Sequence, residues 1–279
     1  VLVISRRIIS AVALSLLALA SIFSELLYVV TVIGLVTLGL YEFFSLVEHK
    51  GIPIYKYFGT IIGIVIPLSI YFKFELTKGW EFLFVTVALI SLFILQFSRT
   101  QSDNAVVAIA TTMFGIFYIS WLFSFMIKIR ILDNGMALAG CLLLVTKGAD
   151  IGAFLVGIRW GKHSLIPKIS PKKTVEGVLG GIVFGVCGAL ASKSFLPAWP
   201  IFSFANLVLL GVALSLLGLL GDLSESLIKR DCAAKDSSHI FPGMGGIMDV
   251  IDSLLFTAPA FYFFIHYYTS RAFSGPTAF

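Results

Sequence analysis

The chain has 279 residues, 58% of them hydrophobic and 13% charged, with a formal net charge of +5. A soluble domain carries roughly 45–50% apolar and about 25% charged residues. This composition leaves too little polar surface for a water-soluble particle, and it excludes a disordered chain, a collagen repeat and a secreted disulfide scaffold. The mean hydropathy of +1.01 and repeated apolar runs near the ~20 residues that one helical span requires define an all-α polytopic membrane protein. A transmembrane barrel would show alternating segments of ~10 residues instead. Cys141, Cys187 and Cys232 lie far apart without Cys-x-x-Cys spacing, so no disulfide framework or thiolate metal site is expected.

In chain order, charges and turn residues mark nine predicted spans, near 8–24, 26–47, 57–72, 81–97, 105–127, 136–158, 177–192, 203–221 and 248–268. The first follows Arg6 and Arg7 and ends near Ala18-Leu19-Ala20. It is read as a retained span, although the pattern also fits a cleavable leader. Sorted by loop, 13 Lys and Arg residues fall on one side and 6 on the other, with Lys147 inside a span. The positive-inside rule then places the N-terminus and loops 159–176 and 229–247 in the cytoplasm and the C-terminus outside, and the expected location is the inner (plasma) membrane. A basic excess of this kind reports loop orientation and not nucleic-acid binding. In the first five spans only Glu42 is a deeply placed ionisable group, whereas charges enter the later spans from Lys147 onward. Residues 1–145 therefore read as a transmembrane scaffold of about five helices, and 146–279 as a catalytic region of about four helices with two polar loops.

Three polar constellations carry the chemistry. Lys147 and Asp150, three residues apart, share a helix face on which each lowers the other's cost of burial. A structural ion pair, supported by Gly148 and Gly152 as a small-residue contact, has the same pattern. Downstream, Ser170-Pro171-Lys172-Lys173-Thr174 is a cationic loop whose hydroxyls and ammonium groups can hold phosphate oxygens, or an ordinary positive-inside loop. In the second constellation Asp222, Glu225, Ser226, Lys229 and Arg230 share one side of a helix while Leu223, Leu227 and Ile228 face away. Carboxylates one turn from hydroxyls suit Mg2+, and the cations beyond suit phosphate. A solvated amphipathic helix end is the plainer reading. The third, Pro242-Gly243-Met244-Gly245-Gly246, runs into a span that begins with Asp249 and Asp252. Glycines before a helix let a ligand approach the backbone, and the helix start favours an anion. Asp249 is expected as a metal ligand and Asp252 as a helix-start partner.

Together these segments resemble the CDP-diacylglycerol synthase (phosphatidate cytidylyltransferase) family. The match runs over roughly 146–253. It includes Lys147 to Asp150, Gly161-Lys162-His163, Ser170 to Thr174 with Glu176-Gly177, and Gly221-Asp222-Leu223-Ser224-Glu225-Ser226 with Lys229-Arg230. It continues through Lys235-Asp236, Pro242-Gly243, Gly245-Gly246, Asp249 and Asp252-Ser253. The family usually has His where this chain has Met244, and Arg where it has Val250.

The resemblance implies transfer of a cytidylyl group from CTP to phosphatidate in phospholipid biosynthesis, with Mg2+ and room for a second cation, by a homodimer among membrane lipids. On that basis Asp222 and Asp249, helped by Glu225, are the expected metal ligands, the two aspartates sharing one cation. Lys172, Lys173, Lys229 and Arg230 are the expected catalytic phosphate binders. Lys147, Asp150, Lys162, Ser170, Thr174, Ser226, Gly243, Gly245 and Gly246 are expected to line the substrate site. The competing classes are a secondary transporter, which would need polar breaks in both halves, and a cytidylyltransferase for another lipid phosphate.

Overall fold

A computed structural model describes residues 18, 20–73, 80–99, 104–234, 237–238 and 245–273. The helices are α1 Glu25–His49, α2 Lys56–Tyr71, α3 Trp80–Phe97, α4 Ala105–Gly115, α5 Leu122–Ile131, α6 Gly135–Trp160, α7 Val175–Ser192, α8 Phe204–Asp231 and α9 Met248–Phe273. A π turn, Ile116–Trp121, joins α4 to α5, and the described strands are β1 Ser164–Ile166 and β2 Ser170–Thr174. Among the described residues six helices are long and apolar enough to cross a membrane, with α4 to α5 counted as one, and Lys56–Tyr71 and Leu83–Phe97 are shorter apolar helices. These fall on the second to ninth predicted spans, while most of the first, up to residue 17 and residue 19, lies outside the described residues. Large side chains such as Val30, Phe93, Phe154, Val183 and Leu209 stand exposed on them, as expected where the surrounding solvent is hydrocarbon. The chain is an all-α, multi-pass membrane protein.

Two compact units divide the chain, one of residues 1–127 with 228–251, the other of 128–227 with 252–279. In the first unit, Ser24 caps α1 by accepting from the N–H of Leu27. Val29, Val32, Val36, Leu40, Phe43 and Val47 then follow at three- and four-residue intervals and are all buried, which is the helical period of a packed face. On α2, Pro67 has no N–H to offer the carbonyl of Gly63 one turn earlier. Ser120, in the π turn, donates its hydroxyl to that carbonyl at 2.5 Å. The widened turn thus presents a side chain that replaces a missing helix hydrogen bond.

The second unit is built on the packing of α6 against α7. A Cβ on Gly152 would lie 2.5 Å from Phe184 and 2.8 Å from the carbonyl of Gly180, so only glycine allows this approach. Between the two helices the expected cationic loop is an antiparallel hairpin, with Ser164 opposite Thr174 and Ile166 opposite Ser170.

Candidate active site

The second unit gathers three carboxylates. A Cβ on Gly221 would sit 2.3 Å from the backbone carbonyl of Asp252, so α8 and the start of α9 cross in backbone contact. Asp222 and Glu225, one turn apart on α8, are thereby brought to Asp252 on α9. One oxygen from each lies within 4.8 Å of the other two. Glu225 is 1% and Asp252 7% exposed. Three carboxylates this close, two of them buried and Asp222 half-buried, repel one another unless cations answer them.

Two lysines do so. Lys173 Nζ lies 2.7 Å from Asp222 Oδ2, and the positive charge of Lys147 acts on both Asp252 and Asp222. Lys147 itself is held in a closed triangle: it donates to Asp150 at 3.0 Å and to Ser253 Oγ at 2.8 Å, and Ser253 donates to Asp150 at 2.9 Å. The expected ion pair of Lys147 and Asp150 is therefore present, with Ser253 as a third member.

The hairpin separates the two adjacent lysines. Successive strand residues point to opposite faces, so Lys173 turns to Asp222 while Lys172 is exposed. Its base is clasped by Glu176, whose Oε2 accepts from the N–H groups of Lys162 and His163 at 3.1 and 3.2 Å, and whose Oε1 pairs with His163 Nδ1 at 2.6 Å. Thr174 caps α7 by accepting from the N–H of Gly177 at 3.1 Å. The Thr174 hydroxyl and the Lys162 backbone are thus committed to holding the hairpin, while the Lys162 residue is exposed and Ser170 half-buried on the strand. Ser226 is buried on α8.

Asp249 has different company, in the first unit. Lys229 donates to its Oδ1. Its Oδ2 accepts from the N–H of Gly246 at 2.7 Å and the hydroxyl of Ser237 at 2.8 Å. Gly245 has φ +96°, a left-handed conformation that glycine adopts without penalty. Arg230 is exposed and donates to the carbonyl of Ala234 at 3.3 Å. Gly243 and Met244 lie outside the described residues.

Beyond the set expected to bind or react, Ser253 and Ser237 stand at these sites, and so do the carboxylates of Asp252 and Glu42. Asp252, read from the sequence as a helix-start partner, joins Asp222 and Glu225. Glu42 meets the loop before α9; its signal was present, since a carboxylate in mid-span is rare without a purpose.

A multi-pass membrane protein with converging carboxylates beside fixed lysines has the features of an enzyme that handles phosphates next to a bilayer. The cytidylyltransferase family model matches residues 5–268, and the chain belongs to this family, hence to the nucleotidyltransferases. It is 35% identical to a phosphatidate cytidylyltransferase of Synechocystis, over 94% of this chain and 96% of that protein. It is 44% identical to one of Bacillus subtilis, over 53% of this chain and 55% of that protein. Identity to the chloroplastic phosphatidate cytidylyltransferase 5 of Arabidopsis thaliana is 33%, over 85% of this chain and 65% of that protein.

Proposed function

We propose that this chain is a phosphatidate cytidylyltransferase, converting CTP and phosphatidate to CDP-diacylglycerol and pyrophosphate. The observation that carries the reading is the convergence of Asp222, Glu225 and Asp252 beside Lys173 in a chain of the cytidylyltransferase family. The lipid substrate is taken from what the relatives are named for. A set of hard carboxylate oxygens fits Mg2+. Bound there, Mg2+ supplies charge neutralisation and alignment of the reacting phosphates.

The residues of the chain do the remaining work. Asp222, Glu225 and Asp252 would hold the cation. Lys173 and the exposed Lys172 offer charge-assisted hydrogen bonds to phosphate oxygens. Lys147, fixed by Asp150 and Ser253, holds a positive charge beside the acidic cluster without spending binding energy on ordering it. An ionised oxygen of the lipid phosphate attacks the α-phosphorus of CTP. A new P–O bond forms to the lipid phosphate, the bond from the α-phosphorus to the bridging oxygen breaks, and pyrophosphate leaves with that oxygen. The attacking oxygen is already deprotonated near neutral pH, so no strong general base is required.

In the first unit, the ammonium of Lys229 rests on the Asp249 carboxylate. Asp249 is proposed there as a ligand for a second cation, with Lys229 and Arg230 as anion binders. The proposal includes an inner-membrane location with the N-terminus and loops 159–176 and 229–247 cytoplasmic, supported by the 13 to 6 distribution of Lys and Arg. It also includes a homodimer, as the family resemblance implies.

The test is purified protein in detergent with CTP, phosphatidate and Mg2+, assayed for pyrophosphate and a CDP-lipid. Equal amounts of both, abolished by a divalent-ion chelator, are expected. Transfer to a different lipid phosphate only, or no transfer with solute uptake into proteoliposomes, would overturn it.

A further inference from the structure

Glu42 lies in the interior of α1, 2% exposed, where an ionisable group is costly unless it is fully hydrogen-bonded. Its partners come from a segment about 200 residues further along the chain, as the sequence separations of 195 to 206 record. Oε1 accepts from the N–H of Ile247 at 2.9 Å and from the hydroxyl of Ser238. Oε2 accepts from the N–H of Met248 at 3.0 Å, and Ser237 Oγ lies 3.1 Å away. Ile247 and Met248 are the last residue before α9 and its first, so their N–H groups have no carbonyl within the helix to meet. A carboxylate at this point satisfies both and also complements the positive end of the helix dipole.

The neighbouring glycine is explained by the same side chain. A Cβ on Gly246 would lie 2.3 Å from Glu42 Oε2 and 2.1 Å from Ser237 Oγ. Gly246 was expected to admit a substrate to the backbone; here its bare Cα admits Glu42. Its N–H, in turn, binds Asp249. Ser237 stands between the two carboxylates, 3.1 Å from Glu42 and 2.8 Å from Asp249. The hydroxyl has one proton, so it donates to one carboxylate at a time and links the two.

We propose that Glu42 is a positioning residue for the transferase reaction, acting from the scaffold half of the sequence. It fixes Ser237, Ser238 and the first N–H groups of α9, and through Gly246 and Ser237 it fixes the direction of the Asp249 carboxylate. Glu42 touches no reacting atom in this account, which rests on the transferase reading above. Groups that orient a ligating carboxylate in this way typically cost 10–100-fold in metal affinity or activity when removed.

The test is Glu42→Gln with Ser237→Ala and the double variant, in full-length protein. Gln keeps the shape but has one acceptor oxygen, and its NH2 confronts one pair of donors. Three readings are taken on each variant: steady-state kinetics, the Mg2+ concentration for half-maximal rate, and amide hydrogen exchange at Ile247 and Met248. Glu42→Gln should lower kcat by about 10–100-fold, raise the Mg2+ requirement and accelerate exchange at both amides. Ser237→Ala should shift kcat and the Mg2+ requirement in the same direction, and the double variant should fall short of additivity.

A purely structural Glu42 would reduce the yield of folded protein while leaving kcat and the Mg2+ requirement of what remains unchanged, and that result overturns the proposal. Should Glu42→Gln fail to insert, wild-type kinetics in Ser237→Ala overturns it equally. If the wild-type chain makes no CDP-lipid but the exchange result holds, the transferase reading has failed and the anchoring role of Glu42 stands.

Discussion

The two units put carboxylates to opposite uses. In the first, Glu42 is surrounded by donors: two helix-start N–H groups and the hydroxyls of Ser237 and Ser238. In the second, Asp222, Glu225 and Asp252 each bring one oxygen within 4.8 Å of the other two, with Lys173 against Asp222 and the Ser253 N–H on Asp252 as the donors beside them. A carboxylate surrounded by donors holds backbone in place, and its removal leaves those donors unsatisfied. Carboxylates that face each other store repulsion that a cation relieves. The difference separates an anchor from a cation site without reference to the identity of any ligand.

Stability and activity should accordingly move in opposite directions in the second unit. Asp252→Asn removes one of three converging charges, so the protein without metal should melt at a higher temperature than the wild type. Its cytidylyl transfer should fall by about 10²–10³-fold, the scale on which one electrostatic group at a reacting centre matters. Asp222→Asn should lose a comparable amount, and the double variant little more than either, because ligands of one cation act as a unit. Thermal melts and turnover of the same preparations decide it. A lower melting temperature with near-normal turnover in Asp252→Asn would make this aspartate an anchor like Glu42 and remove the contrast.

The next effect tests the hairpin. Lys173→Ala takes away the cation beside Asp222, together with a charge-assisted contact worth about 1.5–3 kcal/mol, or some ten- to hundredfold in kcat/KM. Lys172→Ala, on the exposed face of the strand, should cost less and act chiefly on the KM for CTP or phosphatidate. Equal losses in both variants, or a larger one for Lys172, would mean that strand alternation does not assign their roles.

The smallest expected effect lies in the scaffold of the first unit. Ser120→Ala leaves the Gly63 carbonyl without the hydroxyl that stands in for the hydrogen bond lost at Pro67. A loss of about 1–3 kcal/mol of stability is expected, with kcat and KM unchanged in folded protein. A change in kcat would extend the working part of the molecule into the π turn.

Much of this protein was legible in its residues. Apolar runs of bilayer length, interrupted by charge, determine a multi-pass helical membrane protein, because hydrocarbon leaves the backbone no other partners than its own. Periodicity within one helix placed Asp222 beside Glu225 and Lys147 beside Asp150, since residues three apart must share a face. The alternation of a strand was hidden in Ser170 to Thr174 by a composition that reads as a loop. Pairings between distant segments were decided by the tertiary structure alone. Asp249 and Asp252 are equally acidic and one turn apart, yet the backbone contact at Gly221 delivers Asp252 to Asp222 and Glu225, while Lys229 and the Gly246 N–H take Asp249. Glu42 was visible as an isolated charge in an apolar span, but the partners that satisfy it lie some 200 residues away. Helical period fixes neighbours only within a helix; which helices cross, and at which glycine, is set by packing in three dimensions.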